Sequence, residues 1–203
     1  MSLPKIAVFI SGRGTDLQSI IDAVARQELH AEIALVVSDK ADAYGLERAR
    51  KNNIPIAVVI KKNYDSVEGF EQAILDELAK YDVQHVVLAG FMKILSPYFI
   101  THFKEKILNI HPSLLPAFPG AHAHRDALAY GVKVSGCTVH FVDEGMDSGP
   151  IIAQVTVPIE DDDTEETLAA KVLAQEHILY PKVIENYLQN KYKIEGRVVK
   201  TLS

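Results

Sequence analysis

The sequence predicts an α/β protein in which a doubly wound, mostly parallel twisted sheet is followed by a C-terminal β-hairpin and a long terminal helix. Short apolar, β-rich runs alternate with segments of helical period through about the first 110 residues. Such alternation is typical of parallel strands connected by crossover helices. The strand-like runs are almost entirely apolar, as expected for strands covered on both faces. After residue 111, two longer strand-like runs are joined by a connection too short for a crossover helix.

Strands and helices alternate in the parallel part. The predicted strands are Lys5–Ile10, Glu32–Val37, Pro55–Ile60, Gln84–Ala89 and Ile107–Ile110. The predicted helices are Thr15–Gln27, Gly45–Asn52, Ser66–Tyr81 and a short one that opens at Ser96-Pro97. Apolar residues recur at helical spacing in the first and third of these helices. Ser96 followed by proline is typical of an N-cap with proline at the first helical position.

The second part of the chain is predicted to contain a hairpin. A proline-rich loop over His111–Gly120 precedes a helix over His124–Tyr130. Strands over Ser135–Val142 and Pro150–Pro158 follow, and only Asp143–Gly149 joins them. Because this connection is short, the two strands are expected to pair antiparallel.

A long helix is predicted to follow the hairpin, over Thr164–Gln189. Thr164 is the expected N-cap, and two glutamates in the first turn favour the helix dipole. Pro181 lies inside this helix and is expected to kink or break it, because proline lacks the N–H that the helix needs. Only a short tail is expected after Tyr192.

The composition limits the class of protein. The net charge of -6 argues against a large nucleic-acid surface, since binding phosphates requires clustered basic residues. The single cysteine, Cys137, excludes an internal disulfide and fits a reducing compartment. The early apolar run Ile6–Ile10 is too short for a signal peptide or a membrane span. We therefore expect a soluble cytoplasmic protein with one domain over residues 1–203, bound to neither nucleic acid nor membrane.

The first candidate site is the turn Ser11-Gly12-Arg13-Gly14-Thr15-Asp16, between the first predicted strand and the first predicted helix. Glycines allow a tight turn there, and free N–H groups at a helix N-terminus can bind an anion. The third glycine of a dinucleotide fingerprint is missing, and no Gly-Lys-Ser/Thr indicates a nucleoside triphosphate. The residues alone leave a phosphomonoester site and a plain strand-to-helix turn equally open.

The second candidate site is the pair Asn109 and His111, at the end of the fifth predicted strand. Residues two apart on a strand share a face, and open α/β sheets bind ligands at the strand ends. An amide and an imidazole that point to one spot could donate hydrogen bonds to a developing oxyanion. The alternative interpretation is a polar strand end closed by a turn.

The third candidate site is the acidic segment Asp143-Glu144-Gly145-Met146-Asp147-Ser148-Gly149-Pro150 at the tip of the predicted hairpin. Its acids do not have the spacing of an EF-hand loop. A carboxylate that faced His111 would orient the imidazole and favour its charged form. From the residues alone, a solvated turn is the favoured interpretation.

A metal site is not predicted. Four histidines lie close together in the sequence: His111, His122, His124 and His140. Neither a glutamate between helical histidines nor a cysteine pair accompanies them, and zinc sites usually need one of these patterns.

Several segments taken together resemble the phosphoribosylglycinamide formyltransferase family, the folate-dependent enzymes of purine synthesis. They span almost the whole chain, in order: Ile10-Ser11-Gly12…Gly14, Ala89-Gly90-Phe91-Met92-Lys93-Ile94-Leu95-Ser96-Pro97, Asn109-Ile110-His111-Pro112-Ser113-Leu114-Leu115-Pro116, Val139-His140-Phe141-Val142, Asp147-Ser148-Gly149-Pro150 and Gln175-Glu176-His177. The resemblance implies a Rossmann-like formyltransferase domain. Its nucleotide-binding half would span about residues 1–110, and its folate and catalytic half about residues 111–195.

The resemblance also implies a reaction. A formyl group would pass from 10-formyltetrahydrofolate, as co-substrate, to the amine of glycinamide ribonucleotide through a tetrahedral intermediate, without a metal. Asn109 and His111 would stabilise the oxyanion of that intermediate. Asp147 would hold His111 charged and collect the amine proton, directly or through water.

Binding roles follow from the same resemblance. The phosphate and ribose of the substrate would be bound by Gly14, Thr15, Asp16 and Glu176. The folate would be bound by Met92, Lys93, Ile94, Leu95, His140, Asp143, Glu144, Gly145 and Met146, with its glutamate tail near Lys93. Three positions depart from the family. Asp16 adds a negative charge where asparagine is frequent, Lys93 replaces a frequent arginine, and Leu173 stands where some relatives have a polar residue.

Two other functions compete with this interpretation of the sequence. A formyltetrahydrofolate hydrolase uses water as the acceptor, but such enzymes usually carry an extra N-terminal domain, for which the first strand at Lys5 leaves no room. A non-catalytic folate- or nucleotide-binding module would not require Asn109, His111 and Asp147 together. The oligomeric state is expected to be a monomer or a homodimer.

Overall fold

The computed structural model describes residues 2–202, and the chain divides into two compact units, residues 1–108 and residues 109–203. They are called the first and the second unit below. The organisation into a single domain stays a prediction. No helix within residues 2–202 combines the length and the apolar character that a membrane span needs.

The first unit is built on parallel strands. They are β1 (Lys5–Ile10), β2 (Glu32–Ser38), β3 (Ile56–Val58) and β4 (His85–Leu88), in the order β3-β2-β1-β4. β1 pairs in parallel with both β2 and β4. Its residues from Ile6 to Ile10 are 0% exposed. The apolar run is therefore a central strand covered on both faces. The pairing of β1 with β2 and β4 confirms the predicted parallel arrangement.

The helices of the first unit begin close to their predicted positions. They are α1 (Thr15–Ala25), α2 (Gly45–Lys51), α3 (Val67–Lys80) and α4 (Pro97–His102). Ser66 caps α3, because its side chain accepts a hydrogen bond from Gly69 N at 3.0 Å. Ser96 occupies the N-cap position of α4 but makes no side-chain cap. Its hydroxyl and its N–H both donate to the carboxylate of the fully buried Glu71.

The second unit contains the predicted hairpin. Its elements are the end of β5 (Ile107–His111), then α5 (Ala123–Tyr130), β6 (Val134–Phe141), β7 (Ile151–Pro158), α6 (Glu165–Leu188), β8 (Tyr192–Glu195) and β9 (Val198–Thr201). The strand order is β5-β6-β7-β9-β8. β6 and β7 pair antiparallel, with Thr138 opposite Gln154, and this pairing confirms the hairpin.

The C-terminal part differs from expectation at two points. Pro181 does not break α6, which is helical from Glu165 to Leu188. Tyr180, Pro181 and Ile184 are all buried, and burial of this face compensates for the hydrogen bond that proline cannot donate. The expected short tail is a second hairpin, in which β8 pairs antiparallel with β9. Gly196, with φ 62°, supplies the left-handed residue of its turn.

Candidate active site

His111 and Asp147 face each other in the second unit. The structure places His111 Nδ1 3.4 Å from Asp147 Oδ2, and His111 is only 5% exposed at the end of β5. The other ring nitrogen, Nε2, lies 2.9 Å from the carbonyl oxygen of Phe118. Both ring nitrogens therefore face oxygen acceptors, and a ring that carries hydrogen on both can donate to both of them.

Asp147 is held in place by backbone geometry. Its φ of 50° lies in the left-handed region, which aspartate tolerates better than most residues. Its Oδ2 also accepts a hydrogen bond from Gly120 N at 2.8 Å. Gly149 allows the hairpin tip to close, because a Cβ there would lie 1.8 Å from Phe141 O. The segment that was interpreted as a solvated turn is thus an ordered loop, and it directs the carboxylate of Asp147 at His111.

Asn109 is oriented by His140. The side-chain nitrogen Nδ2 of Asn109 lies 3.1 Å from His140 Nε2, and His140 Nδ1 lies 2.8 Å from Phe141 O. His140 is 2% exposed, and this burial lowers its pKa, so the ring is neutral near pH 7. The neutral ring donates from Nδ1 to Phe141 O and accepts from Asn109 at Nε2. This contact uses one of the two amide hydrogens of Asn109.

A buried polar network supports the loop that contacts His111 and Asp147. Thr138 Oγ1 donates to Ser113 O at 2.7 Å and accepts from Leu115 N at 3.1 Å. Gln154 Nε2 lies 2.9 Å from both Leu115 O and Thr138 Oγ1. Ser113 Oγ closes the loop by donating to Ala117 O at 2.6 Å. Sequence reasoning did not assign a role to Thr138 or Gln154, and the only signal was the hydroxyl of Thr138 between the apolar residues Cys137 and Val139 of β6.

The turn Ser11–Asp16, which was predicted to bind the substrate phosphate and is called the phosphate turn below, lies in the first unit. Gly14 has φ 68° and is the N-cap of α1, with no side-chain cap in place. A Cβ on Gly14 would lie 2.6 Å from Gly45 Cα, so only glycine allows this close approach. Arg48 Nε donates to Arg13 O at 2.8 Å and fixes the outer side of the turn. The N–H groups at the N-terminus of α1 have no side-chain cap, so they can donate hydrogen bonds to an anion.

Asp16 lies in the first turn of α1, at the end of the phosphate turn. Burial raises the pKa of its carboxyl to about 7. A carboxyl that is partly protonated at neutral pH repels an anion less than a fully charged one does. The unfavourable charge expected at this position is therefore reduced by the protein itself.

The turn Gly90–Leu95 contains four of the residues predicted to bind the folate, Met92, Lys93, Ile94 and Leu95. It is called the folate turn below and also lies in the first unit. Met92 and Ile94 are 60% and 67% exposed, whereas Leu95 is 4% exposed and belongs to the core. Lys93 Nζ lies 3.7 Å from Asp39 Oδ2. The expected folate contacts Met92 and Ile94 thus present a pair of exposed apolar side chains, and Leu95 anchors the turn.

The remaining predicted contacts lie in the second unit. Glu176 is 6% exposed on the buried face of α6. In the loop before β7, Glu144 and Gly145 are exposed and Met146 is 57% exposed. Asp143 shapes this loop, because its Oδ1 accepts from Ser148 Oγ at 2.6 Å and from Gly145 N at 3.1 Å. Within residues 2–202, no group of three or more His, Cys, Asp or Glu side chains is arranged to hold a metal ion.

Comparison with known proteins places this chain in a family. The family model described as formyl transferase matches residues 4–184. A phosphoribosylglycinamide formyltransferase of Escherichia coli (strain K12) is 45% identical over 190 residues, which are 94% of this chain and 90% of that protein. The crystal structure of glycinamide ribonucleotide transformylase 1 from Symbiobacterium toebii matches with a TM-score of 0.97 and 46% identity, over 100% of this chain and 95% of that chain.

Some relatives are much longer proteins. The trifunctional purine biosynthetic protein adenosine-3 of Chironomus tentans is 48% identical over 188 residues, which are 91% of this chain. This chain spans only 14% of the length of that protein. The family model and the bacterial relative both cover nearly the whole of this chain. The chain therefore belongs to the formyl transferase family.

Proposed function

We propose that the chain transfers a formyl group from 10-formyltetrahydrofolate to the amine of glycinamide ribonucleotide, in de novo purine biosynthesis. The observation that carries this proposal is the His111–Asp147 pair, 3.4 Å apart, on the strand end that also presents Asn109. The relatives named above for this activity, which match nearly the full chain, support it.

The chemistry assigned to these residues is acyl transfer. The substrate amine attacks the formyl carbon, a C–N bond forms, and the carbonyl electron pair moves to oxygen. The second amide hydrogen of Asn109 donates to the resulting oxyanion, and His111, whose ring nitrogens face Asp147 and Phe118 O, stabilises it through the positive charge that Asp147 maintains on the ring. When the intermediate collapses, the C–N10 bond breaks and N10 of tetrahydrofolate takes up a proton.

Asp147 accepts the proton that the attacking amine must lose. The attacking amine becomes positively charged and must lose a proton before the intermediate can collapse to the formamide. Asp147 accepts that proton directly or through water, and its carboxylate keeps His111 oriented meanwhile. The proton that leaves the amine equals the proton that N10 gains, so no further reactant is required.

Binding of the two substrates is assigned to separate groups of residues. The phosphate turn, through Gly14, Thr15 and Asp16, would hold the substrate phosphate, and Glu176 its ribose hydroxyls. The folate turn, together with the loop at Asp143, Glu144, Gly145 and Met146, would bind the folate. By the same proposal the protein is cytoplasmic, acts as a monomer or homodimer, and needs neither metal nor nucleic acid.

A comparison of acceptors tests this function. Purified protein is mixed with 10-formyltetrahydrofolate in the presence and absence of glycinamide ribonucleotide, and tetrahydrofolate release is followed. We expect release that depends on the nucleotide and a formylated nucleotide in equal amount. Release at the same rate without the nucleotide would reject transfer in favour of hydrolysis, and tight binding without turnover would indicate a binding module.

A further inference from the structure

A buried carboxylate in the first unit connects the phosphate turn to the folate turn. Asp39 follows β2, and its side chain is 1% exposed. Its Oδ1 accepts a hydrogen bond from Ser11 Oγ at 2.6 Å, and its Oδ2 lies 3.7 Å from Lys93 Nζ. Ser11 opens the phosphate turn and Lys93 belongs to the folate turn, so one carboxylate reaches both.

Ser11 extends this connection to the backbone of the folate turn. Its Oγ accepts from Met92 N at 2.8 Å, and its own N–H donates to Gly90 O at 3.0 Å. A hydroxyl carries one hydrogen, and Ser11 gives it to Asp39, which leaves its lone pairs for Met92. Asp39 therefore fixes the direction of the hydroxyl that holds the Met92 amide.

The buried charge of Asp39 requires a nearby cation. A carboxylate removed from water is costly unless it is paired and hydrogen-bonded. Lys93 supplies the positive charge, while 39% of its side chain stays exposed to solvent. An ammonium group committed to Asp39 is less available for a carboxylate of the folate.

The other end of the folate turn is also anchored. Leu95 is buried, and the N–H of Ser96 donates to Glu71 Oε1 at 2.7 Å. Glu71 is 0% exposed on α3. The turn is thus held at both ends by buried carboxylates, and Met92 and Ile94 between them remain exposed.

We propose that Asp39 is a positioning residue for the folate turn, and that Lys93 neutralises Asp39 instead of binding the glutamate tail of the folate. This inference rests on the proposed function, because that function assigns the turn to the folate. Asp39 sets the backbone at Met92 through Ser11 and the direction of Lys93 through the ion pair. The turn then presents its apolar side chains in one arrangement.

Charge-removing variants test the role of Lys93. In Lys93→Met, Asp39 keeps an unpaired buried charge, and we expect the KM for 10-formyltetrahydrofolate to rise about 5- to 20-fold. The KM for the nucleotide should stay within about 2-fold, because the phosphate turn keeps its own contacts. In the double variant Asp39→Asn/Lys93→Met no charge remains, and the folate KM should return to within about 3-fold of wild type. A double variant as impaired as Lys93→Met would overturn the proposal.

A folate without its glutamate separates the two roles of Lys93 directly. With 10-formyltetrahydropteroate as the formyl donor, Lys93→Met should raise the KM by the same factor as with the full folate. If the effect disappears with this donor, Lys93 binds the glutamate tail and the positioning role is wrong.

Hydrogen exchange tests the positioning without any turnover. In the substrate-free protein, the single variants Ser11→Ala and Lys93→Met should each speed amide exchange at Met92 about 10-fold or more. The double variant Asp39→Asn/Lys93→Met should exchange the Met92 amide more slowly than Lys93→Met does, because no unpaired buried charge remains. Unchanged exchange at Met92 in Ser11→Ala would refute the proposal. Because this measurement needs no nucleotide, it remains decisive if the proposed transfer activity itself fails.

Discussion

His140 Nε2 lies 3.1 Å from the side-chain nitrogen of Asn109, and this hydrogen bond sets the direction of the Asn109 amide. The bond requires a neutral His140 ring whose Nδ1 donates to Phe141 O, 2.8 Å away. Burial favours that neutral form by lowering the pKa of His140. The folate contact expected of His140 stays a prediction, and this geometry also places His140 against Asn109, the proposed oxyanion donor.

The first prediction therefore concerns His140. His140→Leu removes the acceptor of the Asn109 amide, and we expect kcat to fall about 10- to 100-fold, less than loss of an oxyanion donor itself causes. His140→Gln can still present an oxygen acceptor and should retain kcat within about 10-fold. Steady-state kinetics with both substrates varied give the readout. A raised folate KM with unchanged kcat in His140→Leu would instead assign His140 to folate binding.

The second prediction concerns the pair formed by His111 and Asp147. His111→Ala and Asp147→Asn should each reduce formyl transfer about 100-fold or more, because each removes a group proposed to stabilise the oxyanion or to accept the amine proton. Asparagine tolerates the left-handed backbone of residue 147, so Asp147→Asn should fold normally.

A matched control for this pair is Asp161→Asn. Asp161 is an exposed carboxylate paired with Lys133 at 2.8 Å, and its loss should leave turnover unchanged. Circular dichroism and thermal melting report on folding in each variant. Near-normal turnover in His111→Ala or Asp147→Asn would refute the assigned roles.

Patterns in the sequence predicted the elements that depend on local periodicity. The parallel strands of the first unit and the β6–β7 hairpin follow from apolar runs and connection lengths. Asn109 and His111 could be paired because residues two apart on a strand share a face. Asp147 could not be assigned in this way, since its approach to His111 depends on a left-handed residue in the hairpin loop.

Other features were beyond sequence reasoning because they depend on backbone groups or distant contacts. The carbonyl of Phe118 and the N–H of Gly120 belong to residues with positive φ, and no side-chain pattern identifies them as partners of His111 and Asp147. The ion pair between Asp39 and Lys93 joins residues far apart in the sequence. Tertiary packing likewise decides that α6 continues through Pro181.

The third prediction concerns pH and Asp16. Burial raises the pKa of Asp16 from 3.8 to about 7 in the folded protein. Below about pH 4 the carboxyl is protonated in both states and has no effect. As pH rises from about 4 to 7, the unfolded chain releases this proton more readily, so folded stability falls, and the full loss is present above pH 7.

Asp16→Asn removes this titration. The variant should gain about 1–3 kcal/mol of unfolding free energy at pH 8 relative to wild type, and much less at pH 5. Urea unfolding at the two pH values gives the comparison, and Asp42→Asn, which alters an exposed carboxylate, controls for general loss of charge. An equal gain in unfolding free energy at pH 5 and pH 8 would show that the pKa of Asp16 is not raised by burial.

The fourth prediction uses two left-handed glycines to separate strain from crowding. Gly14 has φ 68° and Gly131 has φ 83°, so alanine is strained at both positions, at a cost of about 1 kcal/mol. Only at Gly14 would the new Cβ also meet backbone, 2.6 Å from Gly45 Cα, whereas nothing lies within 4 Å at Gly131.

Gly14→Ala should therefore lower the free energy of unfolding by about 2–4 kcal/mol, against about 1 kcal/mol for Gly131→Ala, as measured by urea unfolding. Movement of the phosphate turn away from Gly45 should also raise the KM for the nucleotide in Gly14→Ala, with a smaller change for the folate. Equal destabilisation by the two variants would mean that α2 yields to the added methyl group. In that case the close approach of Gly14 and Gly45 does not hold the turn in its binding geometry.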